Sequence, residues 1–313
     1  MIPVSKSCID VKILLDSISP GGHRLVTWQL RYHRFFHSEL MTHRALSRNA
    51  ASSRAIPAAR FRDLVENNTA IPLFWGKNQK GMQATEEISP ELGEAWWMEA
   101  VHWMVEHHKK GESLGLHKQV LNRVLEFAMP ITIIMSTTDH ANLFWLRNHK
   151  DAQPEFKAVV HEMWGHFVDS TPTFRAAGEW HAPLISDEPQ DNLYVPGEFT
   201  LEDKLKISTG RCARVSYLTH AGKRDFSEDI RLHNDLANTA TLGADPMHAS
   251  PFEHVARAEE GDVRSGNFTG WFQYRKMFKH ESGPDTSQRC IRCGLWTGGH
   301  TKNCPNRAHE YVI

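Results

Sequence analysis

The chain has 313 residues, 40% of them hydrophobic and 23% charged, enough to bury a sizeable core in one large domain or two small ones. A formal net charge of −1 excludes a global field that would draw the protein onto nucleic acid or an anionic membrane. Any polyanion site is therefore local, and the balance points to a small ligand. No apolar run is long enough to cross a bilayer, and no hydrophobic leader accompanies Lys6 and Asp10, so a cytosolic protein without membrane partners is expected.

In chain order, residues 24–32 alternate as a half-buried strand, and residues 33–41 place Phe35, Phe36, Leu40 and Met41 at helical spacing. The stretch 42–54, T-H-R-A-L-S-R-N-A-A-S-S-R, reads as a polar loop on that rigid support. Arg44 and Arg54 can each grip an oxyanion through two parallel N–H bonds, with Ser47, Asn49 and Ser52 as neutral donors. That is an inventory for handling phosphate, although a solvated loop has a similar composition. Residues 76–81, G-K-N-Q-K-G, form a basic turn, read as a surface loop with a ligand lid as the alternative. Residues 90–126 read as helical, with Trp96, Trp97, Val101, Met104, Val105 and His108 near one face. Farther along that stretch, Lys118, Asn122 and Arg123 lie about a turn apart.

Beyond Pro130 an apolar, Ser/Thr-rich run reaches N-L-F-W-L-R at 142–147, and Pro154 suits the first turn of a helix because its missing N–H has no partner there anyway. The Pro-rich stretch 169–201 reads as a connector on the surface, with His181 beside Trp180 as a packing residue. Residues 270–276, G-W-F-Q-Y-R-K, offer a further Gln, Arg and Lys, either near a ligand or on a basic surface strand. At the tail, Cys290-x2-Cys293-x6-His300-x3-Cys304 supplies three thiols and an imidazole, a set suited to a closed tetrahedral zinc site. The favoured role is a structural clip for a short coreless segment. The spacing differs from that of a zinc knuckle, so nucleic-acid binding through this tail stands only as an alternative.

His43-Arg44 followed by Ser47, Asn49, Ser52 and Arg54 resembles the signature loop of flavin-dependent thymidylate synthases, with Thr42 in place of the first Arg and Ala50 and Ala51 in place of Glu and Gln. Arg147 and Gln153 match the family's second signature, where Asp151 replaces a His and Trp145 an Asn. C-A-R-V-S-Y at 212–217 and H-A-S-P-F-E-H at 248–254 resemble the family's N-terminal flavin motifs, yet they follow the loop. That order is similar to a circularly permuted, phage-type branch, and joining surface termini costs little. The resemblance implies an α+β fold with helices around a mainly antiparallel sheet, a permuted domain over 1–285 with its connector at about 169–207, a zinc-binding tail over 286–313, and a homotetramer sharing its sites.

It also implies methylation of dUMP with FAD, NADPH and methylenetetrahydrofolate. His43, Arg44, Asn49, Arg147, Ser216 and His248 would hold flavin. Ser52, Ser53 and Arg54 would hold the nucleotide, with Glu39, Arg123, Gln153 and Lys157 as further substrate residues. Glu39 replaces the family's pyrimidine-reading Gln. A carboxylate only accepts hydrogen bonds, which suits the amino group of cytosine better than the O4 of uracil, so C5 methylation or hydroxymethylation of dCMP is the alternative. A flavin-fold nucleic-acid-binding protein is a further one. Neither Cys8 nor Cys212 lies in a polar constellation, which argues against a cysteine nucleophile.

Overall fold

The computed structural model describes residues 8–217, 225–238, 247–278 and 281, with the side chains of 216 and 217 excepted. A five-stranded sheet organises it: β1 (Asp10–Ile18), β2 (Arg24–His33), β3 (Ser47–Ala50), β4 (Pro130–Thr137) and β5 (Thr173–Phe174). The spatial order is β3-β4-β2-β1-β5, antiparallel except for the β1–β5 pair. Gly22, at φ 79°, makes the tight turn between β1 and β2.

Helices α5 (His140–Arg147) and α6 (Pro154–Asp169) cover one face. Side chains along a strand alternate between faces, and Val26, Trp28, Leu30 and Tyr32 of β2 join Ile131, Ile133 and Met135 of β4 against Phe156, Val159, Val160 and Met163 of α6. As the sequence leads one to expect, Pro154 opens α6, and Gln153 caps it by accepting the Phe156 N–H at 2.8 Å. Near the β3 edge, Val101 and Val105 of α3 (Pro90–Ser113) pack with α2 (Ala58–Asn67). Gly115, at φ 78°, ends that helical stretch before α4 (Lys118–Leu121), so 90–126 is not one helix, and Trp96 faces solvent.

The opposite face meets the C-terminal half: β6 (Trp180–His181), α7 (Leu201–Tyr217), α8 (Phe226–Leu236), β7 (Ala256–Ala258), β8 (Arg264–Ser265), β9 (Phe268–Thr269) and β10 (Trp271–Gln273). Leu25 packs with Ala256, Ala258, Phe268 and Trp271, while Ile134 packs with Cys212 and Val215. The first half of β2 is thus buried on both faces, not half-buried as its alternation suggests. Within this half Asp229, almost fully buried, binds Arg214 at 2.6 Å and Arg211 at 3.2 Å, which ties α8 to α7. Among the described residues no helix is long and apolar enough to cross a membrane.

Candidate functional site

The stretch 42–54 is only partly a loop. Ser47–Ala50 pairs with β4 as an edge strand, because Ser47 and Asn49 alternate inward and find buried partners there. Leu40 and Leu46, each 1% exposed, anchor the chain on either side of residues 42–45 and hold that polar turn at the surface. The His43 ring stands edge-on to Phe156 at 5.8 Å, and its Nε2 accepts the Arg147 Nε–H at 2.7 Å. The Arg147 guanidinium lies 5.0 Å over the Phe156 ring and also donates to Thr42 Oγ1 at 3.3 Å. Burial, and then the neighbouring Arg147 and Arg48, lower the His43 pKa, which keeps the ring neutral and able to accept.

Arg44 is exposed and makes no hydrogen bond or ion pair among the described residues. It stands between two adjoining cavities that share Arg44, Ala45 and Asp139. One, of about 340 Å³, is lined by Thr42, His43, Asn142 and Arg147. The other, of about 540 Å³, is lined by Thr138, Arg264, Asn267 and Thr269. Polar atoms, the three guanidiniums of Arg44, Arg147 and Arg264 and the carboxylate of Asp139 converge on a crevice, the makings of an anionic-ligand site.

Other expected residues sit elsewhere. Asn49, 6% exposed, donates to the Cys212 carbonyl at 2.8 Å and lines neither cavity. Ser53 donates to the Glu126 carboxylate, which also takes Arg123 at 2.9 Å and Arg34 at 3.0 Å. Asn122 donates to the carbonyls of Ser53 and Ile56, and Lys118 to that of Ala55, so this part of the chain is pinned while Arg54 projects into solvent and Ser52 is half-buried. Gln153 and Lys157 line a third cavity of about 580 Å³, together with Phe35, Lys150 and the buried carboxyl of Glu155. Its other wall includes Met82, Gln83 and Thr85, from a strap closed by the Gly76–Glu87 bridge. The basic turn 76–81 itself is exposed and does not line this cavity, whose wall is formed by residues 82–85 that follow it. Glu39 sits half-buried on α1 (His37–Leu40), its carboxylate without a hydrogen-bond or ion-pair partner among the described residues. His248 is exposed, its N–H bound to the Leu236 carbonyl at 2.9 Å.

The Ser216 side chain and the zinc candidates Cys290, Cys293, His300 and Cys304 lie outside the described residues, among which no cluster suited to a metal occurs. Of the later basic set, Gln273 is buried and donates to Ser47 Oγ at 3.1 Å, while Arg275 is committed to Glu253 and Glu281, so neither is free for a ligand. His181 is a packing residue, as expected, fully buried between Thr27 Oγ1 at 2.8 Å and Ser17 Oγ at 2.9 Å. The sequence reading missed Asp139, Glu126, Arg264 and Asn267. For the last two a signal existed, since S-G-N at 265–267 between short strand-forming pairs marks a hairpin.

Residues 12–173, more than half of the chain, match the family described as thymidylate synthase complementing protein. The chain belongs to the flavin-dependent thymidylate synthase family. It is accordingly a methyltransferase-like enzyme, and methylation of a pyrimidine nucleotide is the chemistry of its family. Among solved structures it is similar to the UMP/dUMP methylase PolB from Streptomyces cacaoi bound with 5-Br dUMP, at 15% identity over 52% of this chain and 91% of that one, with a TM-score of 0.43. It is also similar to the same methylase bound with 5-Br UMP, at 17% identity over 52% of this chain and 89% of that one, with a TM-score of 0.44. No curated protein matches. The matched stretch contains the loop and the second signature, whereas β6 to β10, α7 and α8 lie beyond it.

Proposed function

We propose that the protein methylates dUMP to dTMP, using FAD, NADPH and methylenetetrahydrofolate. The observation that carries this reading is the convergence of Arg44, His43 and Arg147 on adjoining cavities, in a chain whose described thiols are both inert. Cys8 is buried and its pKa is pushed up to about 12, and burial also raises that of Cys212. Neither presents a thiolate to pyrimidine C6. Reduced flavin, when bound, supplies the hydride and relays the one-carbon unit.

The residues present fit such a group. Arg44, without a side-chain partner among the described residues, is a cation for a phosphate, and Arg147, braced by His43 and Phe156, offers a second oriented guanidinium. Under this reading the half-buried Ser52 and the exposed Arg54, which line none of these cavities, would take the nucleotide, and Gln153 and Lys157 offer an amide and a cation on a separate wall. Contact of Cys212 and Val215 with Ile134, and of His254 with Ser136 at 2.9 Å, brings the motifs around 212–217 and 248–254 onto β3 and β4, which supports the permuted reading. Under the same proposal the tail holds a structural zinc ion and the enzyme assembles as a homotetramer with shared sites.

Mass spectrometry of the products formed from dUMP with the three cofactors tests this. A methyl gain on dUMP is expected, and unchanged dUMP would refute it. The carboxylate of Glu39, which has no partner among the described residues, favours dCMP as a second reading. Under that reading Glu39→Gln shifts preference toward dUMP by about tenfold, the worth of one hydrogen bond of about 1.4 kcal/mol, and unchanged preference removes it.

A further inference from the structure

The cavity of about 540 Å³ has one wall from the family-matched stretch, with Arg44, Ala45, Thr138 and Asp139, and a second from residues 264–269, beyond the match. Arg264, on β8, is exposed, and its guanidinium, like that of Arg44, makes no hydrogen bond or ion pair among the described residues. His23, on the rim, is engaged with Asp262 at 2.7 Å, which leaves Asp139 as the carboxylate lining the cavity opposite two guanidiniums. Two unpaired cations facing one cavity repel each other unless an anion lies between them.

The hairpin that carries Arg264 is built to hold its position. Gly266 has φ 59°, in the left-handed region that favours glycine, and a Cβ there would overlap Gln273 Oε1, so a side chain at this position strains the turn and displaces Gln273. Gln273 and Asn267 in turn donate to Ser47 Oγ, at 3.1 and 3.3 Å. The hairpin is thereby tied by side chains to the strand that begins three residues after Arg44.

We infer that Arg264 and Arg44 form a two-sided clamp for the phosphate groups of a diphosphate-bearing ligand, with the residue 264–269 hairpin as a wall of the site that the family match does not contain. The inference deepens the flavin reading, since FAD carries a diphosphate. The clamp makes two charge-assisted contacts from opposite sides, and removing one leaves the other.

Equilibrium binding of ADP, FAD and riboflavin to the full-length protein tests the clamp. Arg264→Gln weakens ADP and FAD about tenfold or more, the worth of a charge-assisted hydrogen bond, and leaves riboflavin, which has no phosphate, unchanged. Arg264→Lys recovers part of the loss, because charge remains without the fork. Arg60→Gln, which removes an exposed charge on α2 outside both cavities, leaves ADP affinity as it was. Gly266→Ala weakens ADP through displacement of the hairpin, with α-helical circular dichroism retained. ADP that binds Arg264→Gln as tightly as the parent protein, or does not bind the parent protein at all, overturns the clamp. ADP bound through Arg264 without any FAD binding leaves the clamp standing and removes the flavin reading.

Discussion

The two faces of the central sheet are covered in different ways. On the helix side, Trp28, Leu30, Ile133 and Met135 meet Phe156, Val159 and Met163 in a dry, close-packed layer. On the other side, Thr27 Oγ1 bonds Ser136 Oγ at 2.7 Å and His181 Nε2 at 2.8 Å, Ser136 bonds His254 Nδ1 at 2.9 Å, and His181 bonds Ser17. An apolar layer needs only complementary shape, whereas a buried polar network tolerates few alternative dockings because each group must find its partner. The polar face therefore fixes how the C-terminal half sits, and the crevice around Arg44 lies where the two halves meet.

The largest expected effect is on the dry side. Phe156→Ala should cost about 3–5 kcal/mol in chemical denaturation, the usual range for emptying a buried aromatic site. It should also loosen ligand binding, because Phe156 supports both His43 and Arg147. A loss below about 1 kcal/mol would mean that this layer does not carry the core. On the polar side Ser136→Ala should cost about 1–3 kcal/mol by stranding His254 Nδ1, while Thr27 keeps its bond to His181, and a neutral result would show that water replaces the hydroxyl.

A pH titration sharpens the contrast. Burial lowers the His254 pKa to about 3 and that of His181 well below its usual value, with Arg175 and His254 lowering the latter further. Both rings are neutral in the folded protein, whereas the unfolded chain takes up protons below about pH 6.5. Stability is therefore fully present above that pH and falls as acid is added, down to the folded value of about 3 for His254. His140, on the helix side and also lowered to about 3, contributes in the same sense, so the contrast rests on substitution. His254→Gln should flatten the loss of stability between about pH 6.5 and 4, and an unchanged slope would remove His254 from the network's acid response.

Of the sheet, only its β2 strand was legible in the sequence, along with parts of the helices. Strand β2, the helix start at Pro154 and the burial of Val101, Val105 and His108 follow from periodicity and capping. What escaped was long-range: alternation cannot tell that Leu25 and Thr27 face a second layer supplied by residues 180–273, nor that the polar run at 47–50 joins the sheet edge. His43, Arg44 and Arg147 were legible as a group through their motifs, and the structure brings them together. Gln153 and Lys157 instead line another cavity, and Arg123 is engaged with Glu126. Arg264 reaches the crevice only because the hairpin docks on Ser47, a contact 220 residues away in sequence for Asn267.

The central claim, that the matched core and the C-terminal half form one ligand site, is tested most directly by hydrogen–deuterium exchange of the full-length protein with and without FAD. Slower exchange on FAD addition in both residues 42–47 and residues 264–270 is the predicted result. Protection confined to 42–47, or found in neither segment, would contradict it.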